Sequence, residues 1–396
     1  MLNPARLRRA VLKHRGAMVK FAREMVAIPS FSCKEEKLVR RIAAEMRKVG
    51  FDSVKIDRMG NIIGRIGSGK KKIMFDAHID TVGIGDRSAW KWDPFKGKFQ
   101  GGAIYGRGAT DQKLSMVSMV YAGKLIRELG LTGDYTFLAV GSTQEEDCDG
   151  LPLLHIIQRE KIRPDFVVLT EPTCLRVYRG HRGRMEMKVV TKGRSCHGSA
   201  PERGENAVAK MSPIVLEIEA LRKRLKKDRF LGVGTVCVTC IECKTPSLNA
   251  VPDECTIYLD RRLTVGETLK SSVAEIQRLP SVRRAKARVE VLQYAAVCWT
   301  GYKVGQEKYF PTWVLPEGHK LVQAGVKAGT VALGKKPVVD KWVFSTNGVA
   351  TAGRLGIPTI GFGPSDEVYA HTVNERMKVE DLLKAAVFYA ALPQYL

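Results

Sequence analysis

The order of periodic segments constrains this chain most: strand-like and helix-like stretches alternate, give way to a different order in the middle, and then resume. Strand patterns occupy 52–57, 61–66 and 73–79. They are followed by a helix at 113–129, a strand at 135–141, a helix at 151–160 and a strand at 165–169. Strands alternating with helices predict an α/β sheet covered on both faces. A helix before them starts at a capping box of Ser32 and Glu35 and ends at Gly50. Leu7, Val11, Met18, Phe21 and Met25 mark a further amphipathic segment packed on a core.

After Pro172 the pattern becomes strand 184–191, helix 205–226, strands 233–243 and 254–263, helix 268–279 and strand 286–293. That order, βαββαβ, is the ferredoxin-like arrangement, a two-layer unit able to fold as an insertion. From about Phe310 the first pattern returns, with a helix at 319–329, a strand at 359–362 and a closing helix at 379–392. A chain of 396 residues exceeds what one core holds, so two domains are expected. The expected fold is therefore α/β: a discontinuous catalytic domain, 1–178 and 300–396, with a mixed, helix-covered sheet, interrupted by a ferredoxin-like α+β domain at 179–299.

Composition narrows the class. The 65 basic and 41 acidic residues leave a net charge of +24, but the basic residues are scattered and no nucleic-acid motif accompanies them, so a solvated basic surface is expected. No stretch approaches the roughly 20 apolar residues that would span a bilayer. Nine cysteines, and a basic rather than apolar segment from Arg6 to Arg15, point to the cytoplasm.

The residues that carry chemistry sit where apolar strands stop. Ile73-Met-Phe-Asp-Ala-His78-Ile-Asp80 ends abruptly in a histidine and a carboxylate, at the place where α/β sheets put their ligands. Two residues apart on a strand, the two face the same way, and Asp80 can hold one ring nitrogen of His78 while the other faces a metal. Alone, His78 reads equally well as a strand-end cap. In Gly106-Arg-Gly108-Ala-Thr-Asp111 the glycines permit a tight turn that brings Asp111 to the same crevice, although Asp111 also suits a helix N-cap. The strand at 136–142 runs into Gln144-Glu145-Glu146-Asp147, where crowded like charges are costly without a cation. Val167-Val-Leu-Thr-Glu171 repeats the pattern, and His371 follows Ile360-Gly-Phe-Gly-Pro. Two histidines and several carboxylates on successive strand ends match the ligands of a hydrolytic two-metal site.

In this ordered set the chain resembles the dinuclear zinc metallopeptidase family of aminoacylase, acetylornithine deacetylase, succinyl-diaminopimelate desuccinylase and glutamate carboxypeptidase. The resemblance covers nearly the whole length. Segments 75–83, 144–150, 195–204 and 344–348 are most similar to a subgroup of hydrolases linked to selenium metabolism. The resemblance implies that Asp111 bridges two divalent ions, that His78 and Glu171 complete one site and Glu146 and His371 the other, and that Glu145 is the general base. The implied ions are zinc, with cobalt or manganese as alternatives. Glu146 in place of Asp fits the family's deacylases and carboxypeptidases better than its aminopeptidases. The inserted domain corresponds to the family's lid and dimerisation domain. His197 is then an oxyanion donor reaching into the partner subunit's site, and Asn249 and Arg262 lie near a substrate carboxylate, with Asn347 and Gly348 also substrate-binding. Read from the residues alone, His197, Asn249 and Arg262 are a loop histidine, a turn asparagine and a strand arginine. Arg261 competes with Arg262, because strand alternation sends only one of them to a given face.

The implied activity is hydrolysis of the amide bond of an N-acyl amino acid or a small peptide by a cytoplasmic homodimer, with no nucleic-acid or membrane partner. An acidic carrier protein bearing the substrate would account for the charge. The alternative is a basic scaffold or carrier-protein-binding protein on a hydrolase-derived fold, but such a protein would be expected to have lost ligands, and every position is filled. Cys237-x-x-Cys240-x-x-Cys243, with Cys255, has the look of a metal or cluster site, yet on a regular strand Cys237 and Cys240 face opposite ways, and core packing is the reading adopted. His14, His155, His181 and His319 read as surface or packing residues, and Trp90, Trp92 and Phe95 as loop packing near the site.

Overall fold

The computed structural model describes residues 3–396. Its larger sheet has nine strands. The order runs Ser53–Ile56, Ile62–Ile66, Tyr135–Ser142, Lys71–His78, Phe166–Leu169, Thr359–Gly361, Val177–His181, Trp313–Val314, and Val339–Trp342 also pairs with Val177–His181. The four middle strands, from Tyr135–Ser142 to Thr359–Gly361, are mutually parallel. They are apolar on both sides because helices cover both faces. Within Lys71–His78, Ile73, Phe75 and Ala77 enter one core with the helices Lys113–Glu128 and Val379–Ala391, while Met74 enters the other with Leu153 and Ile156. The carboxyl ends of all four parallel strands open on one edge, and that edge carries the site.

The second sheet follows the ferredoxin-like order, Thr235–Lys244, Glu254–Leu263, Gly183–Lys192, Arg288–Val291, all antiparallel. Met185, Met187, Val189, Ile257 and Leu259 face a core closed by Ile214 and Ile218 of the helix Ala207–Leu221. Alternation along Glu254–Leu263 decides the arginine pair. Arg261 points inward, fully buried and ion-paired with Glu267 and Glu275, whereas Arg262 points outward. Among the described residues no helix is long and apolar enough to cross a membrane.

Four expectations change. The strand Val177–His181, cut by the expected boundary at 178, pairs wholly within the large sheet. The hairpin of Gln293–Val297 and Lys303–Glu307 straddles the boundary expected at 299. Ser32 and Glu35 form no capping box: the helix starts at Glu36, and Glu35 sits at its N-cap with helical backbone and no side-chain cap bond. Instead Ser32 Oγ donates to Asp80 Oδ2 at 2.7 Å, and Glu35 Oε1 accepts from the amides of Cys33 and Gln144. Finally, a β-bulge between Val238 and Cys240 resets the alternation, so Cys237 opposes Asp260 and Cys240 opposes Tyr258, on one face. Cys237, Cys240 and Cys243 are exposed, and of the four only Cys255 is a core residue.

Candidate metal centre

The proposed ligands are delivered by the carboxyl ends of the parallel strands, by the connection after one of them and by one turn. His78 closes its strand, Glu145 and Glu146 follow Tyr135–Ser142, Glu171 follows Phe166–Leu169, and His371 lies in the long connection after Thr359–Gly361. Asp111 comes from the turn before the helix Lys113–Glu128. Its N-cap is Gln112, so Asp111 is not the cap. The turn needs its glycines: Gly106 and Gly108 have φ of +145° and +81°, and a Cβ on Gly108 would stand 2.7 Å from Thr81 Cγ2.

Asp111 lies between the two histidines. Its Oδ1 is 2.9 Å from His78 Nε2, and its Oδ2 is 3.2 Å from His371 Nε2. His371 Nε2 is also 3.0 Å from Glu146 Oε2, and His78 Nε2 is 3.8 Å from Glu171 Oε1. The other His78 nitrogen faces the Asp80 backbone carbonyl at 3.1 Å and Asp80 Oδ1 at 3.6 Å, which turns Nε2 toward the crevice. Asp80 does more than orient His78: its carboxylate accepts the amides of Glu145 and Glu146, both at 3.1 Å. His371 takes a left-handed φ of 59°, a conformation a histidine holds only where its surroundings impose it.

The electrostatics are those of a cation site. Burial raises Glu171 well above the ordinary carboxylate range, against the pull of His78 and with reinforcement from Asp111 and Glu146. Burial, then Asp149, raises Glu145 likewise. Burial would also raise Asp111, but hydrogen bonds from His371 and His78 hold it well below its usual value. His371, bonded to Asp111 and Glu146, is pushed up to about 10. Burial would lower His78, yet Glu171, Asp111 and Asp80 keep it well above its ordinary value. The raised proton affinity of both histidines reflects the negative charge that the surrounding carboxylates concentrate on them. The donors fit divalent ions: one ligand atom each from His78, Asp111 and Glu146, and likewise from His78, Glu145 and Glu171, lie within 4.8 Å of one another.

This protonation gives a measurable consequence. Nitrogens that hold protons at neutral pH must release them when an ion takes their place. Metal affinity is expected to fall as pH falls, and metal titration of the metal-free protein by calorimetry, in buffers of different ionisation enthalpy, is expected to show net proton release. Heats independent of the buffer would contradict it.

The centre floors a cavity of about 520 Å³ whose walls include Asp149, Arg184, Arg262, Phe344, Ser345 and Glu367. Arg262 therefore lies on the cavity wall, held by Asp260 at 2.7 Å. Arg184 and Asp149 escaped the sequence reading. Arg184 lies over the Phe310 ring and donates to Asp149 Oδ1 at 2.8 Å. Glu375 also escaped it: buried, it accepts the amides of Gly108, Thr110 and Asp111 and thereby sets the Asp111 turn.

Asn347 and Gly348, expected to bind substrate, do not line the cavity. Asn347 is buried, donates to Asp76 and Ser142 and accepts from Gly150, so it ties strands together behind the site. Gly348 is packed under Trp313, where a Cβ would come within 2.6 Å of Nε1. His197 and Asn249 also lie outside the cavity, on adjoining exposed loops of the smaller domain joined by a bond from Gly198 N to Asn249 O of 2.6 Å. A third group, Asp57, His155 and Glu160, resembles a metal site, but Glu160 is held by Lys55 at 2.5 Å and Asp57 accepts three N–H donors, so it is an ion-pair cluster.

Residues 74–395 match peptidase family M20/M25/M40. The chain belongs to this family. It is 53% identical over 376 residues to the uncharacterized protein YgeY of Escherichia coli strain K12, covering 95% of this chain and 93% of that one. Succinyl-diaminopimelate desuccinylase of Methylocella silvestris is 25% identical over 390 residues, with 94% and 96% covered. In structure the chain is similar to YXEP of Bacillus subtilis, a dinuclear metal-binding peptidase of the M20 family, with a TM-score of 0.69, 14% identity, and 96% and 97% covered. As a member of M20/M25/M40 the chain is a metallohydrolase.

Proposed function

We propose that this M20 enzyme cleaves the amide bond of an N-acyl amino acid, or of a small peptide, using water activated at a centre of two divalent ions. The observation that carries the reading is Asp111, its two oxygens turned to His78 and His371, with Glu145 grouped with His78 and Glu171 in the same centre. His78, Asp111 and Glu171 would hold one ion, and Asp111, Glu146 and His371 the other. Bound there, the ions would supply Lewis-acid polarisation of the carbonyl and make water acidic near neutral pH. Glu145 takes the proton of the attacking water and delivers it to the leaving amine, a transfer its buried position shields from bulk solvent. Arg262, the outward member of its pair, offers a guanidinium to a substrate carboxylate at the cavity wall.

Zinc is the ion we favour, with cobalt or manganese as substitutes, because nitrogen and carboxylate donors accept all three. Nine free cysteines support a reducing compartment, the cytoplasm. The likeness to succinyl-diaminopimelate desuccinylase supports the deacylase reading.

A panel of N-acetyl, N-succinyl, N-formyl and N-carbamoyl amino acids and dipeptides, assayed by amine release with metal added, tests this directly. Turnover is expected for at least one N-acyl class, to disappear on chelation and to return with metal. Hydrolysis that persists in protein shown by elemental analysis to hold no metal would overturn the two-ion reading.

A further inference from the structure

The loop that carries Glu145 begins with a residue in an unfavourable conformation. Gln144 has a left-handed φ of 59°, which a glutamine does not adopt unaided, so something outside the loop holds it. Its side chain is fully buried. Nε2 donates to Cys298 Sγ at 3.0 Å, and Oε1 accepts from Tyr294 OH at 3.2 Å. The Tyr294 hydroxyl also lies 3.3 Å from Asp147 Oδ2, and Gln306 donates to the Asp149 carbonyl at 3.2 Å. Tyr294, Cys298 and Gln306 all belong to the hairpin of Gln293–Val297 and Lys303–Glu307, which supplies no group to the cavity.

This hairpin is anchored at both ends. At its base, Leu292 N donates to the Glu186 carbonyl at 2.9 Å, and Glu186 N to the Lys308 carbonyl at 3.0 Å, which roots it in the sheet of the smaller domain. At its tip, Thr300 Oγ1 donates to the Arg58 carbonyl at 2.6 Å, and Trp299 covers Gly60, where a Cβ would come within 2.1 Å of the indole nitrogen. Gly60 also has a φ of +102°, so the seat for Trp299 requires glycine. A two-stranded ribbon is marginal alone, and these anchors make it a fixed strut.

We propose that the hairpin is a positioning element for the catalytic base: by clamping Gln144 in its left-handed conformation, Tyr294 and Cys298 fix the direction in which Glu145 enters the cavity. This rests on the assignment of Glu145 as base. Because the strut is rooted in one domain and seated on the other, the placement of Glu145 depends on both.

The test uses the full-length, metal-loaded enzyme, with Tyr294→Phe, Cys298→Ala and Cys298→Ser, the last of which keeps an acceptor for Gln144. Kinetics use the best substrate of the N-acyl panel, alongside metal content and hydrogen–deuterium exchange of the metal-free protein. Tyr294→Phe and Cys298→Ala are expected to lower kcat by about 10- to 100-fold with KM and metal content held, since a small misplacement of a catalytic group costs this much. Exchange is expected to quicken in 144–149 and to stay unchanged in 183–192, and Cys298→Ser is expected to recover most of the loss. Unaltered exchange in 144–149, a rise spread over the whole chain, or a change confined to KM would overturn the proposal. Glu145→Gln separates the two ideas: full turnover in that variant defeats the base assignment, whereas the exchange result still decides whether the hairpin holds the loop.

Discussion

Glu145→Gln is expected to keep its metal and lose turnover by a factor of roughly 10²–10⁴, the contribution of a positioned general base. Glu146→Gln is expected to lose metal. The two residues are adjacent in sequence but differently placed. Glu146 Oε2 lies 3.0 Å from His371 Nε2, beside the Asp111 oxygen that faces the same ring, so removing its charge weakens one site directly. Glu145 shares ligand-distance contacts with His78 and Glu171, yet its strongest carboxylate neighbour is Asp149, on the cavity wall, which pushes its proton affinity further up after burial has already raised it. Raised proton affinity makes the carboxylate a stronger base toward a bound water. The substitution keeps size and hydrogen-bonding capacity and removes only basicity. Elemental analysis of both variants beside kcat decides the matter, and equal loss of metal from the two would assign Glu145 to the ligands.

How much of this was legible in the sequence follows from how local each signal is. The strands that end at His78, at Glu145-Glu146 and at Glu171 could be read because each is a continuous apolar run stopped by an acidic residue or histidine, a pattern local in sequence. Val177–His181 and Trp313–Val314 could not, since neither is a continuous apolar run and both are formed by pairing with distant partners. The same limit explains Asn347. The family resemblance implied substrate binding, but its bonds run to Asp76 and Ser142, 271 and 205 residues away. The bulge that brings Cys237 and Cys240 to one face has no marker in the sequence, since neither glycine nor proline interrupts the strand. Arg261 and Arg262 show the opposite case: period-two alternation was enough to say that only one of them could face a given side, and register against the helices chose which. Ser32 and Glu35 had a valid helix-start pattern whose side chains were taken by Asp80 and Gln144 instead, a tertiary demand outweighing a local one.

The mixed dimer gives the other large expected effect: two nearly inactive variants, His197→Ala and Glu145→Ala, are expected to restore part of the activity when combined. His197 lies on an exposed loop of the smaller domain, its Nδ1 engaged by Ser199 Oγ at 2.7 Å, and it does not line the cavity of its own chain. Asn249 adjoins it, so two of the residues that the family resemblance places against substrate, His197 and Asn249, share one exposed surface outside that cavity. Such residues can act only if the smaller domain swings inward or if a second copy presents them. We favour the second copy, because two-fold dimers are the commonest soluble assembly and an isologous interface would present both donors to both sites. A donor that arrives from a partner contributes at the step where charge develops on the carbonyl oxygen, and losing one such donor costs about 10²–10³ in kcat. In a mixed dimer one site combines an intact Glu145 with an intact His197, while the other lacks both. Activity is therefore expected to approach half of the wild-type value per dimer in the mixed species. Native mass spectrometry would establish the fraction of mixed dimers after co-expression. Mixed dimers without recovered turnover would leave His197 acting within its own chain or not at all, and a monomer with full activity at assay concentration would rule out delivery by a second copy.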